Sequence, residues 1–121
     1  MLALIQRVTH ARVLVDARVV GAIDAGLLAL VGLEPGDGDA QVARMAGRLL
    51  GYRVFADDQG RMNRSLADTG GGLLLVSQFT LAADTRSGMR PGFSTAAPPE
   101  MAEPGFNQLV ARCRESHAGR V

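Results

Sequence analysis

Residues Leu73–Leu81 read LLLVSQFTL and follow three consecutive glycines, Gly70–Gly72. A run of large aliphatic side chains is typical of a strand buried on both faces in the middle of a sheet. Ser77 and Gln78 then follow without a break. The stretch therefore predicts a buried strand that carries polar groups to one end of the sheet. The three glycines are followed by a strand, and no Gly-Lys-Ser/Thr sequence opens a helix there. The glycines therefore predict a tight turn and not a phosphate loop.

Other apolar segments predict the rest of the sheet. Leu2–Val8 alternates as a strand should, and Leu27–Leu33 is a second continuous apolar run. Arg12–Val15 and Val19–Ile23 predict two paired strands joined at Asp16–Arg18. A further short strand is predicted at residues 52–55.

Two segments show helical spacing. Asp39 is a plausible N-cap for the first, which ends near Gly51. Its apolar stripe comprises Val42, Met45, Ala46, Leu49 and Leu50, with Arg44 and Arg48 facing away. The second contains Phe106, Leu109, Val110 and Cys113. Pro104 and Gly105 predict a kink or a late start in it, and Gly119 resembles a C-cap.

Strands and helices interleave, which predicts one α/β domain over residues 1–121. We expect a mixed, curled, half-barrel-like β-sheet packed with two main helices.

Composition excludes several functions. All thirteen basic residues are arginine, so the chain supplies no lysine for Schiff-base chemistry or a phosphate loop. The single cysteine, Cys113, excludes an internal disulfide and a cysteine-rich zinc site, and its helical context predicts a core residue. His10 and His117 fit no ligand spacing, so no metal site is expected.

Charge and hydropathy predict a cytoplasmic protein. The net charge of +1 predicts no broad nucleic-acid surface, so we expect local RNA contacts and no DNA partner. No apolar run approaches the ~20 residues of a membrane helix, so no membrane partner is expected.

The polar end of the strand has three interpretations. Polar residues at a strand end can simply meet solvent. A serine or threonine nucleophile needs a base, and the sequence leaves open a triad of Ser77 with His10 or His117. Alternatively, backbone N–H groups at the strand end form an oxyanion hole, which with positioning suffices for a labile ester.

Several short motifs along the chain resemble those of a known protein family. ALIQRV, GYRVF, RMN, SQFTLAADTRSGMRP, FS and AAPPE follow one another in the order and spacing of the D-aminoacyl-tRNA deacylases, for which SQFTL is the signature. The resemblance covers essentially the whole chain. It implies the family's fold and a homodimeric cytoplasmic enzyme that binds the aminoacyl-tRNA 3′ end. The implied reaction hydrolyses the ester of D-aminoacyl-tRNA, and also of glycine mischarged on tRNA(Ala), without a cofactor.

The resemblance also implies site residues. Ser77, Gln78, Phe79 and Thr80 line the site at the dimer interface, where backbone groups of residues 78–80 hold the terminal ribose and scissile carbonyl. Thr80 shapes the pocket, and the RNA 2′-hydroxyl assists attack by water. Arg7 supports the partner subunit's chiral filter. The remaining matched positions near the site are Gln6, Met62, Asn63, Arg90, Pro91 and Phe93.

One departure concerns chirality. The family's Gly-Pro-x-Thr segment, whose carbonyls exclude the L side chain, has no counterpart, because none of the five prolines follows a glycine. The family also continues for roughly two dozen residues of further strands. We expect that these strands are missing from the sequence rather than from the protein, since a sheet without them would expose unpaired edges.

Two alternatives remain at this point. One is a hydrolase with Thr80 as nucleophile. The other is a truncated, non-catalytic dimer or a module that binds the tRNA 3′ end.

Overall fold

The computed structural model describes residues 1–78, 89 and 97–121. These parts contain seven strands and three helices. In chain order they are β1 (Leu2–Val8), β2 (Ala11–Val15), β3 (Arg18–Ile23), β4 (Gly26–Gly32), α1 (Asp39–Gly51), β5 (Phe55–Ala56), β6 (Met62–Arg64), α2 (Leu66–Thr69), β7 (Gly72–Ser77) and α3 (Pro99–Ser116). The predicted α/β class is confirmed, with two long helices and one short one.

The main sheet places β4 between β1 and β7. β4 pairs with β1 antiparallel and with β7 parallel, so the sheet is mixed, as predicted. Neighbours on both sides and helices over one face leave Leu27, Ala29 and Val31 without exposed surface. The continuous apolar run in β4 thus marks the middle of the sheet, with one face fully buried and the other, at Leu28 and Leu30, partly exposed.

The β2–β3 hairpin forms a separate two-stranded sheet. Asp16 and Ala17 turn the chain with φ values of 49° and 63°, in the left-handed region that a two-residue hairpin turn requires. The predicted pairing of these strands is confirmed. Several of its apolar side chains nevertheless remain exposed: Leu14, Val15, Val19 and Val20.

Helix α1 covers the sheet with the predicted stripe, of which Val42, Ala46, Leu49 and Leu50 are buried. The predicted N-cap was wrong by one residue. Gly38 is the N-cap, and its N–H donates to Gln41 Oε1 at 2.9 Å, whereas Asp39 is the first helical residue. The Asp39 carboxylate instead accepts a hydrogen bond from the Gln108 side chain of α3 and so links the two long helices.

Helix α3 begins earlier than predicted. It runs from Pro99 through Pro104, so the expected late start was wrong. Pro99 occupies the first helical position, where its missing N–H costs nothing. Pro104 forfeits only one hydrogen bond of the early helix. Gly105 lets the helix lie against Leu33, since a methyl group there would overlap the Leu33 side chain.

The end of α3 also differs from the prediction. His117 is the C-cap, not Gly119. The His117 ring lies 2.7 Å from the Gly71 carbonyl, and a methyl group on Gly119 would crowd the carbonyls of Gly70 and Gly71. Gly119 is therefore required for a close backbone approach rather than for a left-handed cap.

Two smaller features complete the fold. Residues 52–54 are not part of the predicted short strand, which covers only Phe55–Ala56. Helix α2 was not predicted, although Ser65 and Asp68 carry its signature: each side chain accepts a hydrogen bond from the other's backbone N–H. Gly70 ends α2 with φ of 69°, which confirms a turn at the three glycines.

Candidate functional site at the end of strand β7

The polar groups that follow the buried strand lie at one end of the main sheet. Strand β7 ends at Ser77, which is paired with Val31, and Val31 is paired with Ala3 of β1. Paired residues on neighbouring strands point to the same face of a sheet. Ser77 therefore lies on the face that contains the core and α1, at the point where that face opens to solvent.

Gln78 fixes the strand end. Its backbone N–H donates to the Val31 carbonyl at 2.7 Å, one residue beyond the end of β7. This amide is therefore engaged by the sheet. A ligand held by backbone donors beyond β7 would have to use the next residues along the chain.

A groove of about 550 Å³ lies between β7, the β2–β3 hairpin and α3. Its walls are mainly apolar, and its polar lining residues are Ser77, Asn107, Arg114 and Arg120. At the far end of the groove the Leu73 N–H donates to the Arg120 carbonyl at 2.8 Å. The sequence-based site missed Asn107, Arg114 and Arg120. The spacing of 107, 110 and 114 places the first two, with Val110, on one face of α3, whereas Arg120 lies beyond the end of that helix.

Gln6 and Arg7 lie at the opposite end of the sheet from Ser77. They pair with Leu28 and Leu27, which in turn pair with Leu74 and Leu73 at the start of β7. At about 3.3 Å per residue and 4.8 Å per strand, this leaves roughly 14 Å between Gln6 and Ser77. The fold of one chain therefore does not bring this motif to the polar strand end.

Met62 and Asn63 lie on β6, in a hairpin outside the main sheet. The Asn63 side-chain amide donates to Asp57 Oδ2 at 2.9 Å, and the N–H groups of Gln59 and Arg61 donate to Asp57 Oδ1. The Asn63 amide and these backbone donors hold the pKa of Asp57 below its usual value. Asn63 thus closes the hairpin loop, while Met62 is exposed.

The other predicted site residues are Phe79, Thr80, Arg90, Pro91 and Phe93. All five lie outside the described residues.

The potential nucleophiles and bases that are described do not converge on Ser77. Burial raises the pKa of the Cys113 thiol to about 11, which keeps it protonated and confirms it as a core residue. His117 contacts Gly71 at the start of β7, and His10 follows β1 at that same end. Within one chain, therefore, neither histidine is placed to form a triad with Ser77.

The described parts of the chain also show no metal-like cluster. Nowhere in residues 1–78 or 97–121 do three or more His, Cys, Asp or Glu side chains come together as potential ligands. In the same segments, no helix has the length and apolar character needed to cross a membrane.

These observations define a class of protein. It is an α/β protein in which β7, at one edge of the described main sheet, ends in neutral polar groups beside a groove, with no reactive thiol or histidine at that strand end among the described residues.

Comparison with known proteins narrows the class to one family. The sequence profile of the family described as D-Tyr-tRNA(Tyr) deacylase matches residues 4–121. Proteins named D-aminoacyl-tRNA deacylase from Xanthomonas euvesicatoria pv. vesicatoria (strain 85-10) and Stenotrophomonas maltophilia (strain K279a) are each 75% identical over 121 residues, which is all of this chain and 83% of theirs. The chain belongs to the D-Tyr-tRNA(Tyr) deacylase family, which is a family of hydrolases.

Solved structures agree with this fold. One described as c-Myc DNA Unwinding Element Binding Protein superposes with a TM-score of 0.90 at 34% identity, covering 96% of this chain and 78% of the other. A second, described as a probable eukaryotic D-amino acid tRNA deacylase, gives 0.78 at 16% identity, covering 94% and 67%. At that identity the second comparison supports the fold alone.

Proposed function

We propose that this chain hydrolyses the ester between a D-amino acid and the 3′-terminal adenosine of tRNA, releasing the free D-amino acid and tRNA. The family match over residues 4–121, with relatives at 75% identity named D-aminoacyl-tRNA deacylase, is the observation that carries the proposal. In this function the enzyme removes D-amino acids before they reach translation. Glycine mischarged on tRNA(Ala) is a second proposed substrate.

The proposed chemistry uses positioning and backbone donors. Water attacks the ester carbonyl, and the negative charge that develops on the carbonyl oxygen needs hydrogen-bond donors. The C–O bond to the ribose then breaks, and the 3′-oxygen leaves with a proton. The RNA 2′-hydroxyl, next to the ester, assists the attack of water, so no side-chain nucleophile is required.

The geometry of the strand end refines which groups hold the ester. The Gln78 N–H donates to Val31, so we assign the oxyanion donors to the backbone N–H groups of Phe79 and Thr80. Ser77 and Gln78 hold the segment to the sheet and line the pocket. Thr80 shapes the pocket and does not attack the ester.

We further propose that the active protein is a homodimer. Gln6 and Arg7 lie roughly 14 and 16 Å from the polar strand end of their own chain, so a role at the site requires them to act on a partner subunit. Exposed apolar side chains supply the surface for such an interface, and Leu2 and Leu4 on β1 are examples. We propose that five further residues surround the pocket: Met62, Asn63, Arg90, Pro91 and Phe93. The proposed location of the enzyme is the cytoplasm.

Chiral selection requires an element that the 121 residues do not contain, since no proline follows a glycine. We propose that the single domain is completed by further strands bearing the Gly-Pro filter. Support comes from the open groove beside β7 and from the length of the relatives, of which the chain covers 83%. An intact mass well above 12.7 kDa for the protein from its own source would support this completion.

Parallel hydrolysis of D-tyrosyl-tRNA and L-tyrosyl-tRNA tests the proposed function. The protein from its own source is expected to release D-tyrosine much faster than L-tyrosine. Equal rates would contradict chiral selection. Binding of an aminoacyl-tRNA analogue without hydrolysis of either ester would instead favour a binding module.

The role of Thr80 has its own test. Thr80→Ala is expected to retain turnover, with Thr80→Ser as the matched control, because the hydroxyl does not attack. Capture of an acyl group on Thr80, seen by mass spectrometry of the quenched reaction, would contradict this assignment.

A further inference from the structure

Helix α1 carries an unpaired basic strip on its outer face. Arg44 and Arg48 are exposed and one helical turn apart, and exposed Tyr52 follows at the end of the helix. Neither guanidinium has a hydrogen-bond or ion-pair partner in the described parts of the chain. Two arginines without carboxylate partners leave ten N–H donors, as guanidinium chemistry dictates, available to an anionic ligand.

Two adjoining open grooves run beside this strip. One, of about 300 Å³, is lined by Met1, Gln41, Arg44, Met45 and Arg48. The other, of about 310 Å³, is lined by Ala3, Ile5, Met45, Arg48, Leu49 and Tyr52. Met45 and Arg48 belong to both, so the grooves form one surface with an apolar floor, two cations and one aromatic ring. Among the described residues, no carboxylate lines either groove.

Three acidic groups before and at the start of α1 are already engaged. Glu34 Oε1 and Asp37 Oδ2 lie 2.6 and 2.8 Å from the Met1 ammonium. The Asp39 carboxylate accepts from Gln108 on the side of α1 that faces α3. The strip therefore retains its positive character locally, even though the whole chain is almost neutral.

The strip lies on the same face of the sheet as the candidate site, and its grooves reach the same end of the sheet. Ala3, which lines one groove, belongs to the paired row Ala3–Val31–Ser77. Ala3 and Ser77 are two strands apart, about 10 Å. The α1 surface therefore begins about 10 Å from the strand end, where nucleotides next to a 3′ end held at Ser77–Gln78 can meet it.

We propose that Arg44, Arg48 and Tyr52 bind the acceptor end of the tRNA, with the arginines on backbone phosphates and the tyrosine ring against an unpaired base. This inference rests on the proposed function and adds to it a subsite for the RNA beyond the terminal adenosine. Guanidinium groups pair with phosphate oxygens in bidentate geometry, and exposed aromatic rings stack on unpaired bases. Arginines of this strip contribute affinity for RNA and do not take part in the ester chemistry.

The test compares two substrates that share one ester. D-tyrosyl-tRNA carries the whole RNA, whereas 3′-D-tyrosyl-adenosine carries only the terminal nucleoside. In the double variant R44Q/R48Q, KM for D-tyrosyl-tRNA is expected to rise roughly tenfold to a hundredfold while kcat is unchanged. Both constants for D-tyrosyl-adenosine are expected to stay the same. The slope of log KM against log salt should fall by roughly 1.5–2, about one for each phosphate that the variant no longer binds.

A matched double variant controls for net charge. R18Q/R112Q removes two exposed arginines, one at the start of β3 and one on α3, that line neither α1 groove, and is expected to leave KM for D-tyrosyl-tRNA within about twofold. Tyr52→Leu should raise that KM severalfold, whereas Tyr52→Phe keeps the ring and should restore it. An equal rise of KM on both substrates, or an equal effect of both double variants, would overturn the proposal.

Binding of uncharged acceptor-stem RNA, followed by fluorescence anisotropy, separates this inference from the proposed function. If the wild-type protein hydrolyses neither ester, the proposed function fails, yet weaker RNA binding by R44Q/R48Q than by R18Q/R112Q still supports the subsite. Equal dissociation constants for the two double variants overturn it. Sedimentation velocity completes the test: a change of oligomeric state in R44Q/R48Q would identify the surface as an interface between copies and also overturn it.

Discussion

Leu27 on β4 and Leu73 on β7 have no exposed surface, whereas Val20 on β3 is 63% exposed and Leu14 on β2 is 50% exposed. These strands are built from the same kinds of aliphatic residue. β4 has a strand on each side and helices over one face, but the hairpin forms a sheet of only two strands. Aliphatic residues therefore form strands in both regions. The neighbouring strands and helices decide whether those residues are buried and so add to the stability of the fold.

The largest expected effect comes from truncating a buried side chain on β7, which pairs with β4 in the main sheet. Leu73→Ala removes a fully buried side chain next to β4 and should lower the free energy of unfolding by about 2–5 kcal/mol. Urea denaturation followed by far-ultraviolet circular dichroism measures it. Val20→Ala is the matched control on the hairpin and should change stability by less than about 0.5 kcal/mol. Equal losses for the two variants would remove the distinction between the regions.

Substitution of a glycine probes the close backbone contact between β4 and β7. A methyl group on Gly26 of β4 would overlap the carbonyl of Gly72 on β7, and neither backbone can move without breaking the sheet. Gly26→Ala should therefore cost about 1–3 kcal/mol in thermal or urea unfolding. Gly47→Ala on α1, where nothing lies within 4 Å, should instead stabilise by about 1 kcal/mol. A neutral Gly26→Ala would show that β4 and β7 lie further apart.

The amino terminus anchors the outer strand of the buried sheet through a pH-sensitive contact. Burial disfavours the Met1 ammonium, but hydrogen bonds and charge interactions with Asp37 and Glu34 outweigh it and raise the pKa of the amino group above its ordinary value of 8.0. The contribution to stability is fully present below pH 8 and is lost as the pH rises through the folded-state pKa.

Asp37→Asn should accordingly cost about 1 kcal/mol at neutral pH, measured by urea unfolding. The difference from the wild type should shrink well above pH 8, because the amine is then neutral in both proteins. Asp58→Asn, at an exposed position in the β5–β6 loop, is the control and should show no such pH-dependent difference. A difference between Asp37→Asn and the wild type that does not vary with pH would rule out the amine as its cause.

The smallest expected effect on stability comes from a substitution on the exposed surface of the β2–β3 hairpin. Val20→Ser should change the stability of the monomer by no more than about 0.5 kcal/mol, because the side chain is already in water. If copies of the chain meet through this surface, the same change should weaken self-association in sedimentation velocity. Unchanged association would place the dimer interface elsewhere.

The strands and helices were largely predictable because their signals are local. Alternation in Leu2–Val8, the apolar run at 27–33 and the stripe of α1 each specify an element without reference to the rest of the chain. Predictions failed where a distant contact overrode a local preference. Packing of Gly105 against Leu33 favours a helix through Pro104, and the carbonyls of residues 70 and 71 explain Gly119 better than a cap does.

For the candidate site, the motif SQFTL and its order among the other motifs were enough to name the family, which the comparisons confirm. The placement of the residues was not predictable in the same way. The sequence offers no signal that Gln6 and Arg7 lie at the far end of the sheet from Ser77, or that the Gln78 N–H is engaged by Val31. Both depend on strand order and register, which arise between segments remote in sequence.

The sequence by itself determined the α/β class, the family and a buried strand, Leu73 onward, that turns polar at Ser77. Local periodicity and a specific motif need only neighbouring residues to be recognised. Only the tertiary structure decided that Ser77 shares a row with Ala3 and Val31, and so lies on the same face as the basic strip of α1. Such proximity is created by pairing and packing across the chain, and no local pattern encodes it.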